Sequence, residues 1–203
     1  MVSLTRIEWA GVPLLVGPHT FLPRASSLGL LRFAHDLPLW NSDHPPRILV
    51  DMCCGSGALG IALARSRPGA FHSLLLLDAS PEAVISAQAS LELHGLAGRA
   101  ARWEAGDPVD APEPAFIVCN PPFLPESEAA DLQEWERPCV SSPEGGLSAA
   151  RRCLQSIAGS PHRMVLKCLA AQLPSLAGLA GGPRLGRHVL SDAPEVAFSF
   201  WEP

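Results

Sequence analysis

A chain of 203 residues is long enough for one domain, or for one domain with a small appendage. At 47% hydrophobic and 17% charged residues it can bury roughly 70% of its unfolded surface, which excludes disorder and a fibrous architecture. The 15 Lys and Arg against 20 Asp and Glu leave a net charge of -5, which argues against a protein that coats nucleic acid by neutralising phosphates. An enzyme that meets one local site on RNA stays open.

The 21 prolines and 17 glycines predict short elements divided by frequent turns. Residues 7–16, around Ala10-Gly11, read as a β-hairpin, and residues 25–39 as a lead-in helix. Pro45-Pro46 launches a buried-strand pattern from Arg47 to Asp51, followed by a helix from Ala58 to Arg65 with Leu59, Ala62 and Leu63 on one face. His72 to Leu77 is a second apolar strand ending at Asp78. Ser80 caps the next helix, with Pro81 at its first position, and Gly95 stops it after about His94. Arg102 to Glu104 is a weak third strand, Ala115 to Cys119 a fourth, Gly146 to Ala158 a helix and Arg163 to Cys168 a fifth strand. Leu176 to Gly186 reads as a glycine-rich loop. His188 to Ser191 and Val196 to Trp201 then read as two tail strands joined by a turn through Asp192-Ala193-Pro194. Strands alternating with helices imply a doubly wound parallel sheet covered on both faces, and the tail adds an antiparallel pair at one edge.

Residues 51–60 (Asp-Met-Cys-Cys-Gly-Ser-Gly-Ala-Leu-Gly) follow a strand and open a helix, so Gly55 to Gly60 fits the dinucleotide pattern G-x-G-x-x-G. Glycine lets the backbone turn sharply there, and the helix N-terminus adds N–H groups suited to a carboxylate or phosphate. Gly55 and Gly57 are therefore candidate binding residues. Asp51 stands at the end of the first strand, where a carboxylate suits the ammonium of a methionine-like tail and opposes a pyrophosphate. Asp78, at the end of the second strand and 21 residues after Gly57, can accept both ribose hydroxyls. Asp107, after the third strand, is expected to meet an adenine edge. Acids after three successive strands favour S-adenosyl-L-methionine over NAD. Cys53-Cys54 reads as packed thiols beside the loop, since adjacent cysteines form a strained bridge.

Asn120-Pro121-Pro122-Phe123 follows the fourth strand, at the carboxyl edge where open α/β sheets bind ligands. The prolines remove backbone donors and stiffen the turn. Asn120 Oδ1 and the Pro121 carbonyl can take the two N–H groups of a planar amino or amide nitrogen and point its lone pair at an electrophile, while Phe123 stacks on the plane.

Residues 51–64, 78–89 and 120–123 resemble the class I S-adenosylmethionine-dependent methyltransferases. More narrowly, they resemble the protein-(glutamine amide nitrogen) methyltransferases that modify release factors. Phe21-Leu22-Pro23-Arg24 is similar to that family's lead-in segment. Residues 143–147 with Arg151-Arg152 are similar to the loop and helix after its Asn-Pro-Pro site. The resemblance implies a Rossmann-like seven-stranded, mostly parallel sheet whose last strand is antiparallel. It also implies S-adenosyl-L-methionine as cofactor and a protein with an exposed glutamine as partner. The chain departs from the family at Cys53 (commonly glycine), Phe123 (more often tyrosine), Ser26-Ser27, and Lys167, where an acid often precedes the glutamine that is Gln172 here. That family carries a helical docking domain where about twenty residues, expected to form a hairpin, stand here. The expected organisation is thus a lead-in over 1–24 and a methyltransferase domain over 25–203.

The rival readings are methylation of an adenine amino group in RNA or DNA, a non-catalytic S-adenosylmethionine-binding module, and an NAD-dependent oxidoreductase. The first needs a basic surface, for which only Arg99, Arg102, Arg184 and Arg187 offer a patch. The last leaves Asn120 unexplained. No Cys-x-x-Cys pair and no ligand-like histidine spacing occur, so no metal site is expected. Arg6, Glu8 and Pro13 break any leader-like stretch, and no apolar run spans a membrane. The six cysteines then read as reduced thiols in a cytoplasmic protein.

Overall fold

A computed structural model describes residues 2–177, 188–190 and 193–201. The chain opens with strands β1 (Thr5–Trp9) and β2 (Val12–Val16), paired antiparallel. Ala10 and Gly11 between them have φ of 53° and 71°, the double left-handed turn whose twist matches a two-residue hairpin. β2 alternates, burying Val12, Leu14 and Val16 in the core. Helix α1 (Ala25–His35) stops short of the expected span, because Pro38 cannot continue it and starts a separate 3-10 turn through Asn41.

The central elements follow as β3 (Ile48–Met52), α2 (Ala58–Ser66), β4 (Ser73–Asp78), α3 (Pro81–Leu93), β5 (Gly98–Arg102), β6 (Ala115–Cys119), α4 (Arg137–Val140), α5 (Leu147–Gln155), β7 (Arg163–Leu169) and α6 (Leu173–Leu176). The tail adds β8 (His188–Leu190) and β9 (Ala193–Trp201). The sheet order is β5-β4-β3-β6-β7-β9-β8; β3 to β7 are mutually parallel and the antiparallel pair β8–β9 closes one edge. All five residues of β3 and of β6 are buried because each face is covered; β6 accordingly reads as an unbroken apolar run, whereas β3 carries the buried Asp51 among its apolar residues. Leu49, Leu76, Phe116 and Phe198 pack toward α1, α2 and the hairpin, whereas Val50, Met52, Ile117 and Trp201 pack with α5 and α6 on the opposite face. Ser80 caps α3 as expected, accepting the Ala83 N–H at 3.2 Å.

The third strand is Gly98–Arg102, not 102–104. As a half-exposed edge strand it needs no apolar run, so its sequence is nearly silent, and Trp103 lies just past its end with its N–H on the Asp78 carbonyl. At the tail, Ala193 and Pro194 belong to β9 rather than to a turn, while Asp192, Arg184, Arg187 and the loop over 178–186 lie outside the described residues. Among the described residues no helix is long and apolar enough to cross a membrane.

The chain runs from β3 outward to β4 and β5, then returns across to β6. The strand order therefore reverses between β3 and β6, and the crevice beyond their carboxyl ends is where such sheets bind ligands.

Candidate functional site

A cavity of about 610 Å³ opens at that crevice. Its floor is the carboxyl edge of the sheet: Asp51, the turn from Cys53 to Ser56, Asp78, Trp103 to Ala105, and Asn120. His19 and Phe21 from the segment after the hairpin, together with Trp135, wall it from above; the His19 and Trp135 rings lie 5.4 Å apart. Neither His19 nor Trp135 carries a sequence signal, since loop side chains reach a site through the fold rather than through spacing.

Both acids also hold the loop. Asp51 is 1% exposed, and its Oδ2 accepts the Gly60 N–H at 2.7 Å. The residue preceding α2 is Gly57, which has no side chain to cap the helix, so the strand carboxylate supplies the cap from across the turn. Burial pushes the Asp51 carboxyl well above its ordinary range, against the opposing Gly60 N–H. Asp78 accepts the Gly55 N–H at 2.8 Å and the Ser80 N–H at 3.0 Å; burial, aided by the nearby Cys53 thiol, pushes it up to about 6.

A second cavity of about 410 Å³ adjoins the first, lined by Pro121, Phe123, Ser26 and Lys167 among others. Phe21, Ser27, Asn120 and Cys139 line both. Gln172 shapes this side: its Nε2 donates to the carbonyls of Phe123 (2.8 Å) and Gly145 (2.9 Å), and its Oε1 accepts the Leu169 N–H (2.9 Å). Four buried side-chain polar atoms have no hydrogen-bond partner among the described residues: Ser27 Oγ, Ser56 Oγ, Asn120 Oδ1 and Arg67 Nε. The first three belong to residues that line these cavities. Orphaned buried polar atoms are costly, and three of these four gather at the two cavities.

The candidate residues divide accordingly. Asp51, Gly55, Asp78 and Asn120 line the first cavity; Asn120, Pro121 and Phe123 line the second. Gly57 lines neither. Its φ is 77° and a Cβ on it would stand 2.8 Å from Leu76 Cδ1, so glycine there serves helix–sheet packing. Asp107 is exposed and off the cavity wall, with Oδ2 facing the Glu104 N–H at 3.4 Å and its carbonyl accepting from Trp103 Nε1. Because β5 ends at Arg102, the residues that follow it onto the wall are Trp103, Glu104 and Ala105. Arg99 and Arg102 lie exposed on β5, and Arg102 approaches Glu104 at 3.6 Å.

Cys53 and Cys54 point to opposite layers, the first against the α5 side and the second into the α2 side. The sulfurs of Cys53, Cys119 and Cys153 lie within 4.8 Å of one another, with Cys53 and Cys153 at 3.9 Å. Three separate segments supply them, so a rule based on sequence spacing does not see the group. Cys53 has a φ of 59°, a left-handed conformation in which a β-carbon is strained. Cys53→Gly relieves that strain and is expected to preserve cofactor affinity, with a stability change of about 1 kcal/mol or less. Calorimetric titration and a melting curve check it; loss of binding would give the thiol a role in the site.

A family described as the methyltransferase small domain matches residues 38–137. The release factor glutamine methyltransferase of Gloeobacter violaceus is 30% identical over 182 residues, covering 85% of this chain and 62% of that protein. The enzyme of the same name from Mycolicibacterium smegmatis is 34% identical over 120 residues, 57% of this chain and 40% of that one. The chain thus spans between about four- and six-tenths of the length of these relatives. Among solved structures, the N-terminal domain of human METTL16 in complex with S-adenosylhomocysteine matches with a TM-score of 0.64 at 14% identity, over 93% of this chain and 75% of that one. A Pyrococcus abyssi tRNA (uracil-54, C5)-methyltransferase matches with a TM-score of 0.63 at 16% identity, over 98% of this chain and 44% of that one. At such identities the likeness is one of fold. The chain has the fold of the class I S-adenosylmethionine-dependent methyltransferases and, within them, its sequence resembles the release factor glutamine methyltransferases.

Proposed function

We propose that the chain is an S-adenosylmethionine-dependent N-methyltransferase acting on a planar amide or amino nitrogen, the side chain of a protein glutamine being the acceptor. Residues 25–203 form the methyltransferase domain and 1–24 its lead-in, in the cytoplasm with thiols reduced. The observation that carries this reading is Asn120 Oδ1, a buried acceptor without a partner on the wall shared by two cavities.

The first cavity suits the cofactor. Two carboxylates beside the glycine turn oppose a pyrophosphate and favour a ligand with a cationic head and free hydroxyls. Asp78 holds the ribose, Asp51 faces the ammonium end, Gly55 admits close approach of the backbone, and Glu104 takes the wall position expected of Asp107. Bound there, S-adenosylmethionine supplies an electrophilic methyl group on its sulfonium. In the second cavity, Asn120 Oδ1 and the Pro121 carbonyl accept the two N–H groups of the acceptor and so aim its nitrogen lone pair at the first cavity. The Phe123 ring stacks on the acceptor plane. An amide nitrogen is a poor nucleophile, so positioning supplies much of the rate, and no general base is needed if the proton leaves after transfer.

Titration calorimetry with S-adenosylmethionine, S-adenosylhomocysteine and NAD tests the cofactor, and radiolabelled S-adenosylmethionine offered to protein and RNA pools tests the acceptor. Binding of the adenosyl pair without NAD, with label in protein, is the expected result. Label in RNA alone moves the reading to adenine, and cofactor binding with no label in either pool leaves a binding module.

Asp78 gives a pH signature. Its folded pKa of about 6 lies above the ordinary value near 4. The ligand-free fold therefore binds this proton more tightly than the unfolded chain does. The group's contribution to stability is fully present below pH 4 and is lost as the pH rises through 6. Ribose binding needs the carboxylate, so cofactor affinity runs the other way and falls below pH 6. Asp78→Ala is expected to weaken the cofactor by about 1.5–3 kcal/mol at neutral pH and to flatten its pH dependence. An unchanged profile would remove Asp78 from the ribose site.

A further inference from the structure

We propose that the second cavity selects an acceptor that carries an anionic oxygen beside its methylated nitrogen, a peptide with a carboxylate flanking the glutamine, and that Lys167 is the residue that reads it. This rests on the N-methyltransferase reading above and adds the chemistry of the acceptor.

Lys167 lies on β7, is 3% exposed and lines the second cavity. Its ammonium has three donors. One reaches Ser26 Oγ at 2.8 Å, and the Phe123 ring lies 5.0 Å away, a contact that holds the cation over the same ring proposed to stack on the acceptor. Among the described residues no carboxylate comes within salt-bridge distance of it. The charge that acts on it is that of Arg24, of the same sign, and Arg24 is itself held by Glu136 at 2.9 Å. Burial together with Arg24 lowers its pKa to about 8, as befits a cation without a counter-charge.

A buried ammonium opposes folding unless a paired charge offsets its lost hydration, and a methionine of similar length would fill this space without that cost. The missing partner is supplied if the occupant of the cavity brings a carboxylate. A polyphosphate chain fits less well. The segment over 126–136 carries Glu126, Glu128, Asp131, Glu134 and Glu136, of which Glu128 lines the cavity. Successive phosphates would pass these acids, whereas a peptide presents one carboxylate among neutral or basic neighbours.

The test uses the full chain loaded with S-adenosylhomocysteine and blocked pentapeptides with a central glutamine, flanked on either side by Asp, Ala or Lys. Binding is read by calorimetry and transfer by label from S-adenosylmethionine. Wild type is expected to prefer at least one Asp peptide over its Lys counterpart by roughly tenfold or more, the ratio of about 1.4 kcal/mol. Lys167→Glu reverses that order, Lys167→Met abolishes it and Lys167→Arg keeps it, with S-adenosylhomocysteine affinity reporting that each variant is folded. If Lys167→Glu fails to fold, Lys167→Met alone decides. Labelling that is indifferent to flanking charge, or a charge preference that survives Lys167→Met, overturns this inference and leaves the methyltransferase reading intact. Tight binding of a single-stranded RNA oligonucleotide in place of every peptide overturns both this inference and the glutamine acceptor, whereas no peptide bound at all overturns this inference alone.

Discussion

Asn120→Ala is expected to leave S-adenosylhomocysteine affinity within about threefold of wild type while lowering methyl transfer by roughly 10²–10³-fold, the range seen when one preorganised hydrogen-bonding group is removed from a reacting centre. The asymmetry follows from the site. The first cavity keeps Asp51, Asp78 and Gly55, so the cofactor loses one wall contact among many. The acceptor loses the buried oxygen that fixes its nitrogen, and no other unpartnered side-chain acceptor on the wall shared by the two cavities belongs to an amide. Removing a group that has no partner in the ligand-free protein also relieves an unsatisfied acceptor, so the melting temperature should hold or rise. A variant that is both active and less stable would make Asn120 a structural residue and sink the clamp.

Gly146→Ala is expected to damage both fold and activity. Gly146 precedes α5 with a φ of 85°, and a Cβ there would stand 2.0 Å from the Phe123 carbonyl oxygen and 2.8 Å from Gln172 Nε2. Backbone must move, because the nearest atom is not the end of a flexible side chain. The left-handed strain costs about 1–2 kcal/mol. Breaking the Gln172–Phe123 bond inside the protein adds about 1–3 kcal/mol. The sum lowers the melting point by roughly 5–20 °C for a chain of this size. Displacing the Phe123 carbonyl also tilts the ring that lines the second cavity, so transfer should fall further than stability alone explains. Gly145→Ala is the control: its φ is 67° but nothing lies within 4 Å of the added carbon, so only the strain remains. Equal melting points for the two variants would show that the Phe123 turn yields freely, and the account of Gln172 as its clamp would fail.

The elements that were legible in the sequence are those whose signals are local. Gly11 marks a turn because glycine takes a left-handed dihedral without strain, and Ser80-Pro81 marks a helix start because cap and ring act within one turn. β6 was readable to the residue, since a strand covered on both faces must be apolar throughout. β5 is poorly legible because an edge strand is freed from that demand; it ends at Arg102 rather than Glu104, so Trp103, Glu104 and Ala105, and not Asp107, follow it onto the cavity wall.

What the tertiary structure alone decided is the company each of these residues keeps. Asp51, Asp78 and Asn120 were identifiable as strand-end residues, but that Asn120 borders two cavities with its oxygen unpartnered depends on segments far away in the chain. Gln172 clamps Phe123 across 49 residues, Lys167 reaches Ser26 across 141, and three cysteines from three elements share one cluster. Periodicity, caps and turn chemistry are interactions over a few residues, so they are written along the chain. Convergence of side chains at the sheet's carboxyl edge is set by strand order and register, which become definite only when the whole core packs.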